Sequence, residues 1–140
     1  MNRIAADTAR VAATVLICDD SLVLRELVRA VLEPGEYEIV EAQDGHQSLE
    51  LARSLRPDLV LLDVMMPGQS GLGVLRQIRS DPAIAHLPVV MLSARAQAAD
   101  REAALEAGAD EYLVKPFGAV ELELLVGGLL GRGDDASAPS

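Results

Sequence analysis

No tryptophan, a single phenylalanine and two tyrosines occur in the 140 residues, so any core must be assembled from Leu, Val, Ile and Ala. Cysteine is equally scarce. Cys18 alone rules out an intramolecular disulfide and a thiolate cluster for zinc. Its place within an apolar run reads as a small buried hydrophobe, not a reactive thiol. Positive charge is short as well: 12 basic groups face 22 acidic ones, for a formal charge of −10, and no segment gathers Lys and Arg into a patch. Direct nucleic-acid binding is therefore not expected, because phosphate neutralisation supplies most of that affinity. No apolar run approaches the ~18 residues of a membrane span. The run VAATVLIC meets Asp19 and Asp20 at once, which makes a poor signal peptide, and the chain is expected to be cytoplasmic with no membrane contact.

Half of the residues are hydrophobic, and from residue 14 onward short apolar runs alternate with helical periods. The run VLIC reads as a strand. Leu24, Leu27, Val28, Val31 and Leu32 then recur at spacings of three and four, one face of a helix with Ser21 as N-cap and Pro34-Gly35 as its close. YEIVEA is a weaker, alternating strand followed by a turn at Asp44-Gly45. In QSLELARSL, Leu49, Ala52 and either Leu51 or Leu55 face the core, and Pro57 ends the helix. DLVLLD is uninterrupted by polar residues, as in a central strand covered on both faces. MMPGQSG is loop chemistry, and GLGVLRQIR restores helical spacing through Leu72, Leu75 and Ile78. PVVMLSA is a second fully apolar strand, ending at Ser93. A helix over 98–107 stops at Gly108, YLVKPF is a last strand ending in Lys115, and VELELLVGGLL is a last helix. Five strands alternating with five helices predict an α/β fold, a parallel sheet wrapped on both faces with right-handed crossovers.

In such sheets the functional crevice lies beyond the carboxyl ends of the strands. Those ends carry Asp19-Asp20, Asp63, Ser93 and Lys115, which are expected to converge. Three carboxylates around one point are unfavourable without a cation. Oxygen ligands without His or Cys select a hard ion, and Mg²⁺ suits a site that keeps several waters. Asp63 can then act as a carboxylate nucleophile toward a phosphoryl group, with Ser93 hydrogen-bonding one product oxygen and Lys115 neutralising another. Lys115 is the only lysine, against eleven arginines, so a compact point charge stands where the sequence otherwise uses Arg. His46 and His86 fall in loop-like polar stretches and are assigned no role.

This set resembles the receiver domain of two-component response regulators. An acidic pair follows strand one, DVMMPGQSG surrounds Asp63, Ser93 lies in LSA after strand four, and YLVKPF comes near the end. The match runs from about residue 14 to about residue 130. The resemblance implies a flavodoxin-like (βα)5 doubly wound five-stranded sheet and phosphotransfer to Asp63 from a sensor histidine kinase or a histidine phosphotransfer protein. It implies Mg²⁺ held by Asp20, Asp63 and the backbone carbonyl of Met65, with Asp19 acting mostly through water. It also implies a cis bond before Pro116 and a switch in which Ser93 moves toward the phosphoryl group while Tyr112 turns inward. That switch changes the face of helix four, strand five and helix five for an unidentified downstream protein. Met65 and Arg95 occupy positions that tune how fast receivers lose the phosphoryl group. Such a chain is a signalling switch, not an enzyme, catalysing only its own phosphotransfer and dephosphorylation.

The expected organisation is an N-terminal extension (1–13), the receiver domain (14–130) and a disordered polar tail (131–140). The chain is expected to be either a complete single-domain regulator of the chemotaxis type or a receiver cut from something longer, and its start and loose tail favour the first. Glu121, Glu123, Gly127 and Gly128 leave the last helix without the basic residues used for pairing on that face, so a monomer or weak dimer is expected. A haloacid-dehalogenase-type phosphohydrolase would need Asp-x-Asp on strand one, where this chain has Asp19-Asp20-Ser21. A receiver that never takes a phosphoryl group would not need every reactive position filled.

Overall fold

The computed structural model describes residues 12–131. All but the first residue of the tail expected to be disordered, and nearly all of the N-terminal extension, therefore lie outside the described residues. Among the described residues five strands and five helices alternate: β1 (Thr14–Cys18), α1 (Leu22–Leu32), β2 (Glu38–Ala42), α2 (Gly45–Leu55), β3 (Leu59–Asp63), α3 (Gly71–Ser80), β4 (Val89–Ser93), α4 (Ala98–Glu106), β5 (Glu111–Val114) and α5 (Ala119–Leu129). A short 3-10 turn, Glu33–Gly35, follows α1.

All strand pairs are parallel, in the order β2-β1-β3-β4-β5. The path runs from β1, an interior strand, to the edge at β2, then crosses back past β1 to β3 and proceeds to the other edge. The carboxyl ends of β1 and β3 therefore lie side by side at the reversal of strand order, the place where such sheets leave a crevice. Register completes the alignment: Cys18 pairs with Leu62, Asp63 with Leu92 and Ser93 with Val114.

Every residue of β3 and β4 is buried, which is why their sequences do not alternate. Alternate side chains feed two separate cores. On one face Val15, Ile17, Leu61 and Leu92 pack with Val28 and Leu32 of α1 and Leu122 and Val126 of α5. On the other, Leu16, Leu62 and Met91 pack with Leu49 and Ala52 of α2, Val74, Leu75 and Ile78 of α3, and Ala104 of α4. Fully burying an aliphatic side chain contributes roughly 1.5–3 kcal/mol, so these two layers dominate stability.

Three helices begin with a side-chain cap: Ser21, Asp44 and Ser70 accept the N–H groups of Leu24, Gln47 and Gly73. Each cap is worth about 1 kcal/mol. All three stand just past the ends of β1, β2 and β3, so they also set the loops around the crevice. At the opposite end of the sheet, Arg79 joins three segments through donations to the carbonyls of Gly108, Ala85 and Leu87 and to Asp110. Gly108 has φ +112°, a conformation that favours glycine, and an added Cβ would come within 2.9 Å of the Arg79 side chain.

Four local expectations change. Leu27 is 46% exposed; the buried stripe of α1 centres on Val28, and one residue back lies about 100° away around the helix. Asp44-Gly45 is not a free turn, because Asp44 caps α2, and the helix therefore starts at Gly45 and includes His46. Between the two leucines offered for the core face of α2, Leu51 packs against the core and Leu55 is exposed. β5 ends at Val114, with Lys115 immediately beyond it.

Candidate functional site

The crevice gathers residues from four strand ends. Asp19 and Asp20 follow β1, Asp63 closes β3, Ser93 closes β4 and Lys115 follows β5. Asp19, Asp63 and Ser93 are buried, whereas Asp20 is exposed and opens the group to solvent. One carboxylate oxygen from each of Asp19, Asp20 and Asp63 lies within 4.8 Å of the others. Among the described residues no other such cluster of potential metal ligands occurs.

Lys115 enters from the far side. Its Nζ donates to Asp19 Oδ2 at 2.8 Å and lies 3.4 Å from Asp63 Oδ1. The backbone N–H of Lys115 donates to the carbonyl of Ser93, tying the two strand ends together. The Lys115–Pro116 peptide bond is cis. Asp63 Oδ1 also accepts the Met65 N–H at 3.2 Å, and its Oδ2 takes no hydrogen bond among the described residues. Ser93 Oγ accepts the Arg95 N–H.

The electrostatics follow from burial and from an unequal count of charges. Desolvation, joined by the neighbouring charge of Asp19, raises the Asp63 pKa above the ordinary carboxylate value despite the Met65 N–H and the Lys115 ammonium. Burial alone would lower the Lys115 pKa, but the hydrogen bond and charge of Asp19, followed by Asp63, outweigh it and raise the ammonium above its usual value. Burial also pushes the Cys18 thiol up to about 12, beside the acidic pair but chemically quiet.

The donor set fits a small, hard divalent cation. All three side chains offer oxygen, Asp20 faces water, and Asp20 and Asp63 Oδ2 are unengaged by hydrogen bonds among the described residues. Asp19 is differently placed, since its two oxygens already receive the Ser21 N–H and Lys115.

Most of the residues named from sequence meet here, but not all in the manner expected. The first partner of Lys115 is Asp19, ninety-six positions away. Tyr112 lies 5% exposed on β5 with its hydroxyl donating to the Arg95 carbonyl at 2.7 Å, so its inward orientation is already present. Met65 and Arg95 are exposed at the rim, and Arg95 lies 3.8 Å from Asp100. Sequence reasoning missed three contributors. Gly71 lets the start of α3 press on the backbone of Asp63 and Val64. Arg25 donates to the Asp19 carbonyl, and Glu41 holds Arg25. A glycine at a helix start beside a capping serine was a readable sign of close approach; the arginine on a polar helix flank carried no comparable sign.

Comparison with known proteins agrees with this geometry. Residues 15–126 match the response regulator receiver domain family. The chain is 42% identical over 124 residues to the DNA-binding response regulator MtrA of Mycolicibacterium paratuberculosis, covering 89% of this chain and 54% of that protein. It thus spans about half the length of the curated relatives it matches. The chemotaxis response regulator CheY4 of Vibrio cholerae superposes with a TM-score of 0.80 at 30% identity, covering 85% of this chain and 99% of that one. The receiver domain of sensor histidine kinase PA1611 from Pseudomonas aeruginosa, solved with magnesium coordinated in its active site cleft, gives 0.79 at 31% identity over 86% and 98% of the two chains. Fold, strand-end chemistry and relatives converge, and the chain belongs to the receiver domain family of two-component response regulators.

Proposed function

We propose that this receiver works as a Mg²⁺-dependent phosphorylation switch, with Asp63 as the residue that takes the phosphoryl group. One observation carries the reading: a buried carboxylate keeps one oxygen unengaged within a group of three carboxylates that a single ammonium cannot neutralise. The donor is a phosphohistidine on a sensor histidine kinase or histidine phosphotransfer protein. The phosphorus–nitrogen bond breaks as phosphorus bonds to an Asp63 oxygen, and the donor imidazole, protonated on its other ring nitrogen, keeps the bonding pair and leaves as the neutral base.

Bound Mg²⁺ would supply positive charge shared between the carboxylates and the phosphoryl oxygens. Asp20, Asp63 and the Met65 carbonyl would hold it, with Asp19 bridging through water. The chain's own groups do the rest. The Met65 N–H and Lys115 orient Asp63 through Oδ1. Lys115 stands ready to shift from Asp19 toward a new phosphoryl oxygen, and the Ser93 hydroxyl can donate to another.

Tyr112 links this event to the surface. Its bond to the Arg95 carbonyl ties β5 to the loop after Ser93, so a displacement of Ser93 is felt by α4, β5 and α5. That face then engages a downstream protein. The chain acts in the cytoplasm as a monomer or weak dimer, does not contact nucleic acid itself, and turns over no substrate other than its own phosphoryl group. Incubation with phosphoramidate and Mg²⁺ should add one phosphoryl mass that Asp63→Asn abolishes; uptake by the variant, or none by the wild type, refutes the assignment.

Met65 and Arg95 stand exposed at the rim, where they can hinder water approaching in line with the phosphorus–oxygen bond. Combining Met65→Asn with Arg95→Glu is expected to speed phosphate loss, and an unchanged or slower rate would reject that role.

A further inference from the structure

Asp19 has every polar group engaged. Its N–H donates to the Ala42 carbonyl, its carboxylate receives the Ser21 N–H and Lys115, and its carbonyl accepts Arg25 Nη1 at 2.7 Å. Asp20 is the opposite: it is exposed, and its carboxylate receives no hydrogen bond among the described residues. What orients Asp20 is therefore the peptide plane it shares with the Asp19 carbonyl. That plane is rigid, so a bond to the carbonyl oxygen fixes the direction from which the Asp20 backbone departs.

Arg25 is well placed to hold it. The side chain is only 11% exposed, and its Nε donates to Glu41 Oε1 at 2.8 Å while Nη1 reaches Asp19. Glu41 belongs to β2, the strand paired with β1, so the guanidinium ties helix, neighbouring strand and acidic loop into one unit. Arg29 holds the other oxygen of Glu41 and the Ile39 carbonyl, but among the described residues it makes no hydrogen bond to Asp19. Two arginines thus share one carboxylate, and only one of them touches the site.

We propose that Arg25 is a positioning residue for the divalent-cation site, setting the Asp19-Asp20 peptide so that the Asp20 carboxylate converges with Asp63. The inference rests on the metal-site reading given above. Groups that orient metal ligands from behind typically change affinity by about 10–100-fold when removed. A planar fork suits the task because it reaches a carbonyl and a carboxylate at once; an ammonium in its place is a point charge on a flexible stem.

The test measures Mn²⁺ binding by the resonance signal of free Mn²⁺, with Mg²⁺ as competitor, on the full chain. Arg25→Met is expected to weaken both ions roughly ten-fold, and Arg25→Lys by a smaller factor. Arg29→Met, which loosens the same Glu41 without touching Asp19, is expected to bind as wild type does. Circular dichroism identifies the folded variants, and should Arg25→Met fail to fold, Arg25→Lys decides alone. Wild-type affinity in the folded Arg25 variants, or an equal loss in Arg29→Met, overturns the positioning role while leaving the metal site standing. A wild-type chain that binds no Mn²⁺, or binding that Asp63→Asn does not alter, overturns the metal reading itself and this role with it.

Discussion

Replacing Asp63 by asparagine keeps the shape of the side chain and removes one charge from a crowded site. Three carboxylates there face the single ammonium of Lys115. At 3.4 Å the attraction of Lys115 for Asp63 is about 5 kcal/mol for an effective dielectric constant of ~20, and two carboxylates within 4.8 Å repel by at least about 3.5 kcal/mol on the same scale. Asp63 meets first the loss of water around a side chain that is almost wholly buried and then repulsion from Asp19. Lys115 and the Met65 N–H do not offset the two, which is why the Asp63 pKa is raised. The metal-free Asp63→Asn protein is therefore expected to be at least as stable as wild type, by up to about 1–2 kcal/mol. Magnesium should reverse the order. At a concentration about 100 times its dissociation constant, a ligand bound only by the folded state adds about 2.7 kcal/mol, or roughly 8–11 °C in Tm for a chain of this length. Wild type should show that rise and the variant little of it. Far-ultraviolet circular dichroism melts with and without Mg²⁺ provide the measurement. A metal-free variant more than about 1 kcal/mol less stable than wild type, or equal magnesium shifts in both proteins, would refute the charge balance drawn here.

Three further outcomes are expected. Gly71→Ala would drive a methyl group into the Asp63 carbonyl oxygen and to 2.8 Å from Val64 Cα, backbone atoms that cannot turn aside, so stability should fall by about 2–3 kcal/mol; an unchanged denaturation midpoint would show that α3 is free to move. The Glu41 carboxyl is held below its ordinary pKa by hydrogen bonds from Arg29 and then Arg25. That stabilisation is present above the unfolded-state pKa near ~4.3 and is lost as pH falls through the lower folded value. Glu41→Gln should thus cost about 1 kcal/mol at pH 7 and progressively less in acid, and a stability difference independent of pH would contradict this. The Cys18 thiol, buried and pushed up to about 12, should resist a disulfide-exchange reagent at pH 8 in the native chain and react in denaturant; rapid native labelling would show that β1 opens readily.

Much of the architecture was legible without coordinates because it depends on local patterns. Uninterrupted runs such as DLVLLD require cover on both faces, and the spacing of Leu24, Val28, Val31 and Leu32 requires a helix with one buried side. The alternation of the two kinds of element leaves little choice beyond a doubly wound parallel sheet. The chemistry of the crevice was likewise written in residue type and order: acids after β1 and at the end of β3, a hydroxyl at the end of β4, and the lone lysine after β5.

Periodicity, however, reports that a face is buried and not what lies against it. That Lys115 takes Asp19 as its nearest partner has no local signal: β3 and β4 separate β1 from β5 in the sheet, and the lysine after β5 reaches across their ends to the acid after β1. A spacing of three or four residues admits Leu27 to the core stripe because it tolerates a wide face, and the sheet uses only the part centred on Val28. The inward Tyr112, the pressure of Gly71 on the acceptor strand and the Arg25–Asp19–Glu41 connection all depend on where two separately formed elements meet. Residue types in sequence thus determined which groups are available and at which strand ends. Tertiary structure decided which of them touch, because contact depends on packing between segments whose separation along the chain carries no local signal.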